Sequence, residues 1–192
     1  MTSMILWRRL DLPGHEIGIL EPRKDGWELR GTAVFSHDGR PCKLDYVVLC
    51  DPDWRTSSAR VEGMIGDRGV ALKVSVDGRR HWCLNGEDSP AVAGCTDIDL
   101  GFSPSTNLLP IRRLSLTVGE EAEVRAAWLP FPALEFEPLP QMYRREGERT
   151  YRYESSGGRF VRMLEVNRVG FVVKYPELWL AEATQHGDLR PR

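Results

Sequence analysis

Apolar and polar residues alternate with a period of two along most of the chain. Trp27, Leu29, Gly31, Ala33 and Phe35 interleave with Glu28, Arg30, Thr32 and Val34, which puts one apolar set on a single strand face. Leu72, Val74 and Val76 alternate with Lys73 and Ser75 in the same way. The pattern returns at Tyr151 and Tyr153, over residues 160–166, and at Phe171, Val173 and Tyr175. Turn signals separate the runs: Lys24-Asp-Gly26, His37-Asp-Gly39, Asp77-Gly78, Asn85-Gly86 and Ser156-Gly-Gly158. Asp-Gly and Asn-Gly suit two-residue hairpins because both central residues must take positive φ. No stretch sustains a helical period for long, and the pattern predicts only a short helical turn over 103–108 and a second over 177–184.

Short strands separated by turns every 8–12 residues or so predict an antiparallel all-β fold, a sandwich or barrel, with very little helix. Pro130-Phe-Pro132 and Pro138-Leu-Pro140 bracket an edge strand over 133–137, where proline is tolerated. No low-complexity linker divides the chain, so residues 1–192 read as a single domain. An offset of about 89 residues lays Trp54 over Tyr143, Gly69 over Gly158 and the strand from Ala71 over the strand from Phe160. That spacing suggests two pseudo-duplicated halves, 1–95 and 96–180, and a tail over 181–192.

Composition narrows the picture without naming a function. With 41% hydrophobic residues, 192 residues can bury a substantial core, and 9% aromatics exclude a disordered chain. Lys plus Arg number 26 against 28 Asp plus Glu, which argues against nucleic acid as the main partner. No apolar run approaches the roughly 20 residues that span a bilayer. Met1 to Leu10 lacks the order of a secretory signal, and the reading is a cytoplasmic protein. Cys42, Cys50, Cys83 and Cys95 contain no Cys-x-x-Cys pair, so they read as reduced thiols rather than metal ligands.

Candidate chemistry gathers in two stretches. The first runs from Thr96 to Leu114 and holds Asp97, Asp99, Asn107, Arg112 and Arg113. Two carboxylates at i and i+2 of a strand share a face, where they can hold a metal, share a proton or grip sugar hydroxyls. Arg112 and Arg113 offer planar forks for carboxylate or phosphate, and strand alternation would turn only one of them inward. The structural alternative is a loop closed by its own ion pairs. The second stretch, Asp51-Pro-Asp-Trp-Arg-Thr56, pairs Trp54 with Arg55, as in a carbohydrate site; its alternative is a turn with Trp54 packed on the core. Six tryptophans spread along the chain could line a cavity, although filled core is the default. Hydrolase, nucleotide-binding and zinc signatures are absent, and the four histidines are isolated. No catalytic residue, metal or cofactor is assigned.

Asp97-Ile-Asp-Leu, Pro104-Ser-Thr-Asn-Leu-Leu-Pro-Ile-Arg-Arg113 and Val172-Val-Lys-Tyr-Pro-Glu-Leu178 occur in order, after Gly31-Thr-Ala33 and Asp53-Trp-Arg55. Together they resemble the bacterial "putative glycolipid-binding" family over residues 27–178. The resemblance implies a spiral β-roll, a highly curled antiparallel sheet forming an incomplete barrel. The family's label rests on a likeness of shape to barrel proteins that carry lipidated cargo, and it brings no assigned catalytic residues. The expectation is a non-enzymatic protein binding a small amphiphilic or glycolipid-like ligand in an apolar groove with a polar mouth. Its ligand-binding residues would be Trp54, Arg55, Asp97, Asp99, Asn107, Arg112, Arg113 and Tyr175. The alternative is an enzyme acting on a sugar-containing or phosphorylated small molecule through Asp97 and Asp99.

Overall fold

The structure, a computed structural model, describes residues 2–186. Strands account for 61% of the chain and helices for 9%, in one sheet that does not close into a barrel. The first arm comprises β1 (Ser3–Arg9), β2 (Gly14–Arg23), β3 (Gly26–His37), β4 (Arg40–Cys50), β5 (Thr56–Ile65), β6 (Arg68–Val76), β7 (Trp82–Leu84) and β8 (Glu87–Asp88). The second comprises β9 (Asp97–Leu100), α1 (Leu108–Leu114), β10 (Glu121–Leu129), β11 (Glu137–Gly147), β12 (Thr150–Ser155), β13 (Phe160–Val166), β14 (Val172–Tyr175) and β15 (Trp179–Gln185).

The 15 strands lie in the order β8-β7-β6-β5-β4-β3-β2-β1-β15-β14-β13-β12-β11-β10-β9. The chain therefore starts mid-sheet, walks by hairpins to one edge and crosses to the opposite edge. It then walks back until β15 pairs antiparallel with β1. That crossing forces the sheet to curl. Laid flat at about 4.8 Å per strand, the two edges would lie about 65 Å apart. Residues 89–96, the whole connection, reach about 30 Å when fully extended. Only a roll brings the edges within that reach.

No strand ladder ties the seam; side chains do, together with one backbone hydrogen bond from the Thr56 amide to the Thr96 carbonyl at 3.2 Å. The Arg80 guanidinium donates to the carbonyls of Thr56 at 2.7 Å, Thr96 at 2.6 Å and Cys95 at 3.1 Å. Thr56 Oγ1 accepts from the Ile98 amide at 3.0 Å. From β10, Arg125 donates to the carbonyls of Ala91 and Ala93 in the crossing segment. Inward residues fill the roll, with Trp7, Trp82, Tyr46, Tyr143, Phe102 and Phe171 fully buried.

Two hairpins follow the expected turn chemistry. Asp38 and Gly39 take φ of 50° and 73°, and Asn85 and Gly86 take 54° and 89°, so both pairs adopt the primed turn whose twist matches the strands. Asp77-Gly78 does not form a two-residue turn: the connection runs over 77–81, with Arg80 taking the positive φ of 63° and Asp77 Oδ1 accepting from the Arg79 and His81 amides. The four cysteines are free thiols, three of them buried.

Three local expectations are corrected. Residues 177–184 form no helix: β15 pairs with β1 from Trp179 to Gln185, and Trp179 and Leu180 pair with β14 as well. No edge strand spans 133–137. Leu134 has a φ of 58°, and β11 begins at Glu137, with Pro138 and Pro140 inside it. Those prolines are tolerated because β12 pairs with β11 only from Gln141 onward, leaving that flank without a ladder. Residues 103–108 do begin a helix, but it runs further, as a tight turn over Ser105–Asn107 continuing into α1. Arg112 and Arg113 are thus on a helix and not on a strand. Pro110 lies in its first turn, where the missing N–H costs nothing. Leu108, Leu109 and Ile111 are buried, and Ser115 ends α1 with a φ of 46°. Of the expected tail, residues 181–185 belong to β15, and residues 187–192 lie outside the described residues.

Candidate functional site

β9 carries Asp97 and Asp99 in parallel register with β10, opposite Ala126 and Trp128. Strand alternation sends both carboxylates to one side, yet each has a different partner. Arg113 grips Asp97 bidentately, through Nε at 3.1 Å and Nη2 at 2.5 Å. Asp99 accepts from Gln141 Nε2 at 2.6 Å, and the same amide reaches Tyr153 Oη at 3.1 Å. Asp99 opens on a cavity of about 330 Å³ inside the second arm. Trp128, Tyr153, Phe160, Tyr175 and Trp179 line it, with Leu139 and Leu178 adding aliphatic wall.

Burial pushes the Asp99 carboxyl up to about 6, against the lowering effect of the Gln141 hydrogen bond and with a smaller push from the Asp97 charge. Its charge therefore changes just below neutral pH. Asn107 borders the same cavity. Its Oδ1 accepts from Tyr143 Oη at 2.9 Å, and its amide donates to the Pro104 carbonyl. Tyr175 stands edge-on to Tyr153 at 6.2 Å between ring centroids, and burial raises its hydroxyl well above the ordinary phenol range.

The remaining predicted residues lie elsewhere. Trp54 is 7% exposed, stacked on Trp27 at 4.2 Å, with the Arg112 guanidinium 5.1 Å from its ring. Arg55 is exposed and pairs loosely with Asp53 at 3.6 Å. Trp54, Arg55 and Arg113 border an open polar hollow beside Thr96, away from the aromatic cavity. Arg112 lines a third cleft, with Tyr151 and Asn167. The structure thus brings together Asp99, Asn107 and Tyr175 out of the eight, and divides the rest between two other places.

One buried polar group escapes the period-two reading. Glu16 lies in β2 on the inward register with Leu20 and is 1% exposed. Its Oε1 accepts from Tyr46 Oη at 2.7 Å and from Ser103 Oγ at 2.5 Å. Burial drives its carboxyl up to about 8, outweighing both hydrogen bonds and the nearby Arg9 charge. Ser103 also borders the cavity, so Glu16 anchors one wall from behind. The available signal was an acidic residue in an apolar register. Tyr46 reaches Glu16 by crossing β3 at Gly31, where an added Cβ would lie 2.4 Å from the tyrosine oxygen. Gln141, Tyr153 and Trp179 are also absent from the sequence-derived set.

Among the described residues, no three His, Cys, Asp or Glu side chains converge so as to hold a metal ion. Nor does any described helix have the length and apolarity to cross a membrane.

Comparison with known proteins adds a family and a fold. A family described as "Putative glycolipid-binding" matches residues 4–181. The crystal structure of a DUF1089 family protein from Pseudomonas aeruginosa is similar with a TM-score of 0.74 and 37% sequence identity. The similarity covers 86% of this chain and 91% of that one. No curated protein matches significantly.

Proposed function

We propose that this protein, which belongs to the "Putative glycolipid-binding" family, binds the sugar head group of an amphiphile in the Asp99 cavity, without catalysing a reaction. The observation that carries this reading is one carboxylate set among aromatic rings. Aromatic faces take the apolar faces of a sugar ring, and a carboxylate accepts strong, charge-assisted hydrogen bonds from its hydroxyls. Asp99 offers the acceptor, Tyr175, Tyr153 and Trp179 the faces, and Asn107 lies at the border. At about 330 Å³ the cavity is near the lower end of the 300–1,000 Å³ or so typical of small-ligand sites. That size suits a head group, with the apolar portion leaving past Leu139 and Leu178. The enzymatic alternative needs Asp97 and Asp99 to work as a pair, and Asp97 is already engaged by Arg113.

Trp128 and Trp179 on the cavity wall supply the readout. Their fluorescence would be followed while titrating an alkyl glycoside, an alkyl alcohol of the same chain length, and then the glycoside against Asp99→Asn. A saturable response to the glycoside is expected, about tenfold weaker for the alcohol and for the variant. Equal affinity for glycoside and alcohol would remove the sugar from the proposal. Unchanged affinity in Asp99→Asn would remove this cavity from it.

A further inference from the structure

The cleft that takes Arg112 has a chemistry of its own. It lies where the end of α1 meets the start of β12 and the turn at 167–170, and measures about 360 Å³. Arg112, Arg145, Arg149 and Arg168 line it, against the single carboxylate of Glu148. For a chain of net charge −2, that is a marked local excess of positive charge.

Two of the lining donors are buried without a partner: Arg112 Nε and Asn167 Nδ2. Asn167 is 8% exposed, and its Oδ1 is spent on the amides of Val169, Gly170 and Phe171. Its amide nitrogen is thus the half of the side chain left over. Arg112 makes no ion pair among the described residues, although its guanidinium is held in place. Trp54 lies 5.1 Å from it, and Gly170, at a φ of 104°, leaves room for its stem: a Cβ there would meet Cδ at 3.2 Å.

The neighbours keep the charge available. Arg145 spends its guanidinium on the backbone carbonyls of Leu116, Gly147 and Glu148, which leaves its charge uncancelled. Arg149 lies 3.7 Å from the exposed Glu148 carboxylate, a contact that solvent screens heavily. Arg168 is exposed and unpaired among the described residues. A partly buried guanidinium with no counter-ion carries a desolvation cost, and an anion that reaches it offsets that cost.

We propose that this cleft is a binding site for a phosphoryl group, with the Arg112 guanidinium and Asn167 at its floor and Arg168 and Arg149 meeting the outer oxygens. A tetrahedral, doubly charged oxyanion matches several converging donors, and guanidinium forks are the usual partners of such groups. The site is distinct from the Asp99 cavity. Tyr151 borders the cleft, whereas Tyr153 and Ser155, further along the same strand, border the cavity. The inference stands whether or not that cavity takes a sugar.

Calorimetric titration at low salt tests it with three probes: inorganic phosphate, glucose 1-phosphate, and phosphatidylcholine vesicles with and without phosphatidic acid. Saturable binding of either soluble phosphate, weakening as salt is added, supports the site and makes its source a free phosphorylated molecule. Binding only to vesicles that contain phosphatidic acid supports it with a lipid head group as the source. In either case Arg112→Gln should weaken binding about tenfold and Arg168→Ala about threefold. Arg60→Ala, an exposed arginine of β5, should leave it unchanged. Arg168 is exposed, so its variant remains informative if Arg112→Gln fails to fold. No saturable binding of any probe, or equal affinity in wild type and Arg168→Ala, overturns the proposal.

Discussion

Ser103 Oγ donates a 2.5 Å hydrogen bond to Glu16 Oε1 across 87 positions of chain, joining the first arm of the roll to the segment that opens the cavity. Ser105 supports it from behind, its amide donating to Ser103 Oγ and its hydroxyl lying 2.7 Å away. Tyr46 fills the other approach to the same oxygen. Oε2 has no partner and is the oxygen left to carry the proton. A carboxyl raised to about 8 is largely neutral at pH 7, which suits its sealed surroundings.

The sign of the pH dependence follows from that shift. Glu16 titrates at about 8 when folded, against an ordinary value of 4.5, so the folded state holds the extra proton between those limits. Its contribution is fully present below the ordinary carboxylate range and is lost as pH rises through 8. Glu16→Gln removes the ionisation while keeping an acceptor. Denaturant melts from pH 5 to 9 should show wild type losing stability relative to the variant, by at most on the order of 4 kcal/mol. Parallel curves would show that Glu16 is not the titrating group.

Arg80 should prove to be the clamp of the seam. It donates to three carbonyls on two segments that no ladder joins, and hydrogen bonds to a charged donor contribute about 1.5–3 kcal/mol each in isolation. Arg80→Ala is expected to cost about 2–4 kcal/mol in a urea melt. Arg80→Lys should recover less than half of that, because an ammonium cannot reproduce the planar fork. Full recovery by lysine would reduce Arg80 to a point charge.

Gly31 carries a steric prediction. A methyl there would meet Tyr46 Oη and the Ile17 carbonyl, each at 2.4 Å, and neither neighbour can swing freely in the core. Gly31→Ala should destabilise by about 1–3 kcal/mol. It should also lower the ultraviolet signature of a buried tyrosine as Tyr46 is displaced. A variant as stable as wild type would mean that Tyr46 has room to withdraw.

On the proposed reading, ligand binding should depend on pH through Asp99. As a carboxylate it accepts from hydroxyls, and below its value of about 6 it carries a proton instead. Affinity for the glycoside should therefore fall as pH drops from 7.5 to 5, and Asp99→Asn should show a weak, flat profile over the same range. Retention of the slope in the variant would assign the titration to another group.

The sequence by itself determined most of the strands, the hairpins at 38–39 and 85–86, and the family. Alternation is a local property, set by successive side chains on opposite faces, and it places Leu29, Ala33 and Phe35 inside β3 without knowledge of the rest. Asp-Gly and Asn-Gly favour positive φ, and the turns at 38–39 and 85–86 follow that local preference, whereas Asp77-Gly78 does not. The helical state of Arg112 and Arg113, by contrast, was not in the local pattern. It depends on Leu108, Leu109 and Ile111 finding a buried seat between strands distant in sequence. The same holds for the division of the polar residues. Asp97 and Asp99 look equivalent in sequence, yet the packing of the second arm delivers Arg113 from α1 to one and Gln141 from β11 to the other. Glu16 became a buried acid only because Tyr46 and Ser103 converge on it from two arms of the sheet. Which polar groups meet is decided by the curl, and the curl comes from a short connection joining the two edges of one long sheet.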